Sequence, residues 1–387
     1  MRHIVLPLLR LRHRLDARGT EIFRHLMPPY IVVANHQNFW DPFWISSFMS
    51  TPVQFVTSDN IFRTFWFGLA MRLFGSVPKA KLMTDTRAVR QVVGVLRSGG
   101  VIGIFPEGAR TYDGRSQEPI ETVARLLRML RLPVVGVRIR GGYLQKPRWA
   151  RASRRGPVTL EYGILFTGAD LTRMSTAEVL ERMSASIAVD EMQWQARACV
   201  PFRGPRPAEY LERLLFVCPS CRSISSLVSR GSKLMCTACG AAVTVDEYGS
   251  FRASRGPLYF RDPAAWNAWQ LPVFRNHLAT ALASDRALFS ESPASLLTGH
   301  RLRRLRQLAG GTALLFPDRI VFRAKGLAEL ALPLRELRGM NVQNREKLEF
   351  YWDGALYRLD FANPRASPYK WTTAVGMLTE LADATAY

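Results

Sequence analysis

The apolar positions of this chain follow two different patterns, and the change between them divides it. In the first half, short unbroken apolar runs recur: Ile31 to Ala34, Val101 to Phe105, and Val134 to Ile139. Runs of that length without polar alternation predict strands buried on both faces. Between them the period becomes helical. Thr84-Asp85 is placed to cap a helix that shows Val89, Val92, Val93 and Leu96 on one face and stops at Gly99-Gly100. Ile120, Val123, Leu127 and Leu130 mark a second helix. Ser175 to Glu178 is a capping box in front of a third, with Leu180, Met183 and Ile187. Strand and helix alternate, which predicts an α/β domain.

The pattern changes after about residue 200. Pro201 to Pro207 has a linker's composition, and Cys199 just before it reads as a lone buried apolar residue. Residues 257 to 300 read as helical and carry Trp266 and Trp269. From Thr312 onward short alternating strands take over. Leu348, Phe350 and Trp352 alternate before Asp353-Gly354, and Tyr357, Leu359 and Phe361 alternate after it, a hairpin signal. A last helix is predicted from Ser367 to Leu381. Several strands closed by one helix resemble a pleckstrin-homology-like domain. The predicted divisions are 1–200, 201–250, 251–300 and 301–387.

Within the second division, Cys218, Cys221, Cys236 and Cys239 form a CxxC-x14-CxxC pattern. Two thiolate pairs at this spacing predict a zinc ribbon with a structural Zn2+. Four thiolates fill a tetrahedral shell, so this metal has no open position for chemistry.

Charge adds a partner class. Against 31 acidic residues stand 53 Lys and Arg, a net charge of +22. Such a field attracts anionic lipid, nucleic acid or an acidic carrier protein. The basic residues around the cysteines are scattered without interleaved aromatics, so no nucleic-acid partner is expected. Residues 1 to 27 mix apolar clusters with Arg10, Arg12, Arg14, Arg18 and Arg24, as in either a helix lying on a membrane or a solvated helix packed on the domain. Ile61 to Phe74 is aromatic and too short to span a bilayer; it reads as a core helix or as an interfacial segment that guides an acyl chain. The basic loop from Gly141 to Pro157 reads as a solvated face, with a headgroup layer for Trp149 or a landing site for an acidic acyl carrier as the alternatives. No signal peptide or transmembrane helix is expected, and a peripheral protein on the cytoplasmic face of a membrane follows.

The chemistry sits at the ends of the first two apolar runs. Asn35-His36-Gln37-Asn38-Phe39-Trp40-Asp41 follows the first, and Asp41-Pro42 reads as a helix start. Asp41 is placed to reach back to the His36 imidazole and fix its tautomer, leaving the other nitrogen to take a proton from a hydroxyl. Phe105-Pro106-Glu107-Gly108-Ala109-Arg110-Thr111 follows the second. Arg110 offers a planar fork suited to phosphate, and Glu107 is expected to orient Arg110 or to accept from a substrate hydroxyl.

His-x4-Asp followed by FPEGART resembles the 1-acylglycerol-3-phosphate acyltransferases and their glycerolipid acyltransferase relatives, over roughly residues 25 to 195. The resemblance implies a mixed α/β sheet flanked by helices, with the fatty acyl group of a thioester moved to a glycerolipid hydroxyl. By that carry-over His36 is the base and Asp41 its orienter, while Glu107, Gly108 and Arg110 form the acceptor-phosphate site. Where the family usually has a basic residue after a Gly-apolar stretch, often Arg, this chain has Lys79 and Lys81. The expected donor is acyl-CoA or acyl carrier protein, and the expected acceptor is 1-acylglycerol-3-phosphate. Two alternatives stand beside it: another lysolipid or amino-lipid acceptor, and a non-catalytic membrane or nucleic-acid binding protein.

Overall fold

In the computed structural model, residues 2–81, 83, 85–326 and 328–384 are described. The first part is built on seven strands: β1 Leu15–Arg18, β2 Tyr30–Ala34, β3 Val53–Ser58, β4 Val77–Lys79, β5 Val101–Ile104, β6 Val134–Arg140 and β7 Val158–Phe166. They form one sheet in the order β1-β7-β6-β2-β5-β3-β4, parallel at every pairing except β6 with β7.

Helices α1 Arg2–His13, α2 Asp41–Ser46, α3 Phe65–Leu73, α4 Thr86–Arg97, α5 Glu121–Leu130, α6 Gly142–Gln145, α7 Gly168–Arg173, α8 Thr176–Ile187 and α9 Glu191–Ala198 surround it. Every residue of β2 is buried, because each face meets its own core. Ile31 and Val33 pack with Val92 and Leu96 of α4 and Ala124 and Leu127 of α5. Tyr30, Val32 and Ala34 pack with Trp44 and Ile45 of α2. That two-sided burial is what the unbroken apolar run required.

The capping predictions fall into place with one gap. Asp85 accepts from the Ala88 amide at the start of α4, and Ser175 and Glu178 complete a reciprocal box at α8; Thr84 lies outside the described residues. The amino-terminal stretch is not one helix. After α1 the chain adds β1 to the sheet edge and then a 3-10 turn, Thr20–Arg24.

The linker composition at 201–207 is misleading too. Phe202 is buried, and Arg203 and Arg155 exchange backbone hydrogen bonds of 2.7 and 3.0 Å. Cys199, read as a buried apolar residue, is exposed at the end of α9.

A second sheet follows, β8 Leu227–Arg230, β9 Lys233–Cys236, β10 Ala242–Val245 and β11 Phe251–Arg255, in the order β11-β10-β9-β8. Helix α10, Pro263–Thr280, links it to the third sheet. The indole of Trp266 on α10 donates to the Val217 carbonyl at 2.9 Å, and Phe274 and Leu278 enter the core of the last domain.

The expected helical division 251–300 needs correction. The helix ends at Thr280, and Phe289–Gly299 is strand β12. Two register shifts, between Glu291 and Ala294 and between Leu296 and Leu297, break its period of two and hid it from a pattern reading.

The remaining strands are β13 Arg306–Leu315, β14 Arg319–Arg323, β15 Leu330–Pro333, β16 Arg338–Gln343, β17 Lys347–Trp352 and β18 Ala355–Phe361, closed by helix α11, Pro368–Ala384. They pair antiparallel in the order β15-β14-β13-β12-β18-β17-β16. The Asp353-Gly354 turn joins β17 to β18 with both residues at positive φ, as the hairpin signal predicts.

The third sheet is fastened to the first by charged groups. Arg63, beside α3, donates to Glu349 of β17 at 2.5 Å, and Arg301 pairs with both Asp59 and Asp85. Asp59, Asp85 and Glu349 are buried, so removing one partner of these pairs leaves a charge stranded away from water.

Candidate active site

His36 and the loop 105–110 stand at the carboxyl ends of neighbouring parallel strands β2 and β5, the place where open α/β sheets hold ligands. Asp41, in the first turn of α2, is fully buried, and its Oδ2 accepts three donors. These are His36 Nδ1–H at 2.8 Å and the Gln37 and Asn38 amides at 2.7 and 2.8 Å. The carboxylate therefore fixes both the tautomer of His36 and the bend that carries it.

The imidazole lies flat on Phe105, ring centroids 4.1 Å apart, and Phe105 stacks on Phe55. His36 Nε2 makes no hydrogen bond among the described residues, and the side chain keeps 21% of its surface open. Burial holds the imidazole below its ordinary pKa; the bond to Asp41 pulls up, and the charges of Arg110 and Lys81 push down again. Near neutrality the ring is an uncharged base with an open Nε2.

Glu107 has a different place from the one anticipated. Neither oxygen meets Arg110. Oε1 accepts the His36 amide at 2.9 Å and Oε2 the Gln117 amide at 3.0 Å. The residue clamps the two motif loops together, and a further bond from the Thr111 amide to the His36 carbonyl, 3.0 Å, repeats the tie. Burial pushes the Glu107 carboxyl up to about 8 against the pull of its amide donors. Gly108, at φ 69°, supplies the left-handed residue that lets this turn close.

Replacing Glu107 with Ala leaves the amides of His36 and Gln117 without acceptors, which costs about 1–3 kcal/mol. The loosened loop is expected to lower kcat by roughly a hundredfold, since about 1 Å of misplacement has that effect. Thermal denaturation and steady-state rates on the same preparation check both parts.

A second group of polar residues fixes the far side of the loop. The Asn35 side chain exchanges hydrogen bonds with the backbone of Ile139, and Asn38 donates to the Gly142 carbonyl. Gln37 donates to Glu191 at 2.8 Å, and Glu191 accepts the Gly141 amide with both oxygens. Burial pushes the Glu191 carboxyl up to about 8. Glu191 lies far along the chain with only a helix start around it, so no sequence signal announced it.

The structure divides the predicted anion-binding residues. Arg110 points no hydrogen bond or ion pair at any described residue, and burial together with nearby Arg148 brings its pKa down to about 10. Lys81 joins it: burial, with the charges of Arg148 and Arg110, holds its ammonium well below the ordinary value. Lys79 does not join. Its ammonium donates to the carbonyls of Ala80 and Met83 at 3.2 and 3.1 Å, on the side of Asp85 and Arg301.

The loop 141–157 is not the solvated face its composition predicted. Arg148, Trp149 and Arg154 are 6%, 2% and 6% exposed.

Away from this site, the Sγ atoms of Cys218, Cys221, Cys236 and Cys239 all lie within 4.8 Å of one another. The Cys218–Cys239 and Cys221–Cys236 separations are both 3.7 Å. Four sulfurs at about 2.3 Å from one tetrahedral ion sit about 3.8 Å apart, so the cluster has the dimensions of a four-thiolate metal site.

With this geometry in view, the similarities to known proteins are consistent. The family model for acyltransferases matches residues 14–140, a span containing His36, Asp41, Glu107 and Arg110. That span, about a third of the chain, is similar to the acyltransferase family. Two of the proteins it resembles are 1-acyl-sn-glycerol-3-phosphate acyltransferases. A chloroplastic 1-acyl-sn-glycerol-3-phosphate acyltransferase of Brassica napus is 28% identical over 105 residues, 27% of this chain and 30% of the relative. One from Arabidopsis thaliana is also 28% identical over 105 residues, 27% of this chain and 29% of its own length. The chain spans less than a third of the length of these relatives. Among solved structures, the 1-acyl-sn-glycerophosphate acyltransferase of Thermotoga maritima matches 48% of this chain and 78% of its own at 21% identity, TM-score 0.41.

Proposed function

We propose that this protein transfers a fatty acyl group from acyl-CoA or acyl carrier protein to the free hydroxyl of 1-acylglycerol-3-phosphate, giving phosphatidic acid. The observation that carries the reading is the His36–Asp41 pair with Nε2 open beside an Arg110 that pairs with no described residue. The acceptor hydroxyl gives its proton to His36 Nε2 as its oxygen attacks the thioester carbonyl, and Asp41 stabilises the imidazolium. Collapse of the tetrahedral intermediate breaks the C–S bond, and the imidazolium returns the proton to the departing thiolate. Arg110 and Lys81 hold the acceptor's phosphate. Lys79 is better placed to brace the turn before α4. Lipid analysis of the product made from lysophosphatidate and a long-chain acyl-CoA tests this: phosphatidate supports it, and acylation confined to other lysolipids or amino-lipids replaces the acceptor.

Supply of such an acceptor from a bilayer fits one exposed surface. Helix α3 buries only Gly68, while Phe65, Trp66 and Leu73 are 75%, 77% and 79% exposed. Ring contacts carry this apolar surface from Phe67 to Phe39 and from Phe74 to Phe43, and Phe39 is three residues from His36. No helix among the described residues is long and apolar enough to cross a membrane. We therefore read α3 as lying in the interface of the cytoplasmic leaflet, whose anionic lipids suit a chain of +22 charge. Each aromatic buried there is worth about 1.5–3 kcal/mol. Phe65→Ser with Trp66→Ser is expected to lower co-flotation with anionic liposomes by at least tenfold, while turnover on detergent-dispersed acceptor changes less than threefold.

The cysteine cluster is read as structural Zn2+ held by Cys218, Cys221, Cys236 and Cys239 in a ribbon between two domains. The third sheet with α11 is read as a pleckstrin-homology-like domain, on the strength of its strand order and closing helix.

A further inference from the structure

Three cations from three separate loops come close to one another, and none of them has a carboxylate in ion-pair contact among the described residues. Arg110 follows β5, Lys146 ends α6, and Arg345 sits in the turn between β16 and β17. None of the three charged ends makes a hydrogen bond or ion pair with a described residue. Arg345 stands close enough to depress the pKa of both Arg110 and Lys146, and Arg110 in turn depresses Lys146 and Lys81.

Arg148 holds the convergence in place. Its guanidinium spans from the Arg110 carbonyl, 3.1 Å, to the Val342 carbonyl of β16, 2.7 Å, and lies 4.1 Å over the Tyr112 ring. A small cavity beside it is lined by Tyr112, Arg148, Asn344 and Arg345. There Tyr112 Oη and Arg148 Nε are buried without partners.

The nearby carboxylates are already committed. Glu346 is held by Arg151 and Arg213 at 3.0 and 2.6 Å, and Glu349 by Arg63. Partly buried cations are normally paired, so this cluster is suited to an anion from outside the chain.

We propose that Arg345, contributed by the third sheet, completes with Arg110 and Lys146 a binding site for the dianionic phosphate monoester of the acceptor, an inference that rests on the acceptor reading above. The acceptor then binds between the acyltransferase domain and the carboxyl-terminal domain. The selection follows from charge. A monoester brings up to two negative charges to three cations, whereas a phosphodiester headgroup brings one and adds bulk at the β16–β17 turn.

The test uses the full chain as wild type, Arg345→Ala and Arg345→Lys, with circular dichroism to confirm folding. With lysophosphatidate as acceptor, Arg345→Ala raises the acceptor KM roughly tenfold or more, as loss of one charge-assisted contact should. Its kcat stays within threefold, the thioester KM is unmoved, and Arg345→Lys recovers part of the loss. An unchanged acceptor KM in Arg345→Ala, with Arg110→Ala raising it, overturns the proposal and leaves the acceptor reading standing. Wild-type inactivity toward lysophosphatidate overturns the acceptor reading instead. Equilibrium dialysis with inorganic phosphate then decides the site: phosphate retained by wild type and lost in Arg345→Ala upholds it, and equal or no retention in both ends it.

Discussion

His36→Ala is expected to reduce acyl transfer by about 10²–10⁴-fold, the usual contribution of a positioned general base, with the thermal midpoint close to wild type. The imidazole is partly open and its Nε2 serves no structural bond, so its removal deletes chemistry and little packing. No neighbour can substitute for it. Both oxygens of Glu107 are occupied by amides, and the oxygen of Asp41 that meets His36 already receives three donors.

The same geometry sets the sign of the pH dependence. Burial lowers the pKa of His36, so the neutral, proton-accepting form persists below the ordinary imidazole value. The acid limb of kcat/KM should therefore fall off at an apparent pKa under about 6.5, as protonation closes Nε2. A pH–rate profile with its midpoint above that value contradicts the assignment.

Loss of the metal is expected to have the largest effect on stability. Cys218 and Cys236 are buried and belong to the same cluster as Leu211, Leu214, Leu227, Trp266 and Trp149 of the 141–157 loop. The core of the small second sheet is packed around these two cysteines, and structural zinc of this kind supplies about 10–16 kcal/mol of binding free energy at neutral pH. Cys236→Ser, or chelation of the wild type, should lower the thermal midpoint by ten degrees or more. Trp149 would lose its packing, and with it the loop carrying Lys146 and Arg148 would loosen. Elemental analysis should find one zinc per wild-type chain and little in Cys236→Ser. A metal-free wild type whose midpoint ignores chelator contradicts the reading.

Local sequence announced the parts of the site that are local. His36 and Asp41 lie within a few residues of one buried strand and Glu107 to Arg110 within a few of another, and the four cysteines state their own spacing. The partner of Glu107 was misjudged because its donors are backbone amides, which no side-chain pattern reveals. Lys79 and Lys81 are two residues apart and would share a face on a continued strand, but β4 ends at Lys79 and the chain turns, and only Lys81 comes close to Arg110. Arg345 could not be read at all. It is an arginine in a hairpin turn, and only the packing of the third sheet on the first brings it to Arg110. The apolar stretch of α3 has one composition for two environments, and its exposure sets aside the core-helix reading. Strand β12 was missed for a geometric reason, since its two register shifts displace the apolar positions from strict alternation.

The central claim is tested most directly by thiol release from a long-chain acyl thioester on anionic liposomes, comparing wild type with His36→Ala, with and without lysophosphatidate. The account predicts release that requires both His36 and lysophosphatidate, with phosphatidate formed in equal amount. Release of the same rate in His36→Ala, or none from either CoA or carrier-protein thioesters in the wild type, would contradict it.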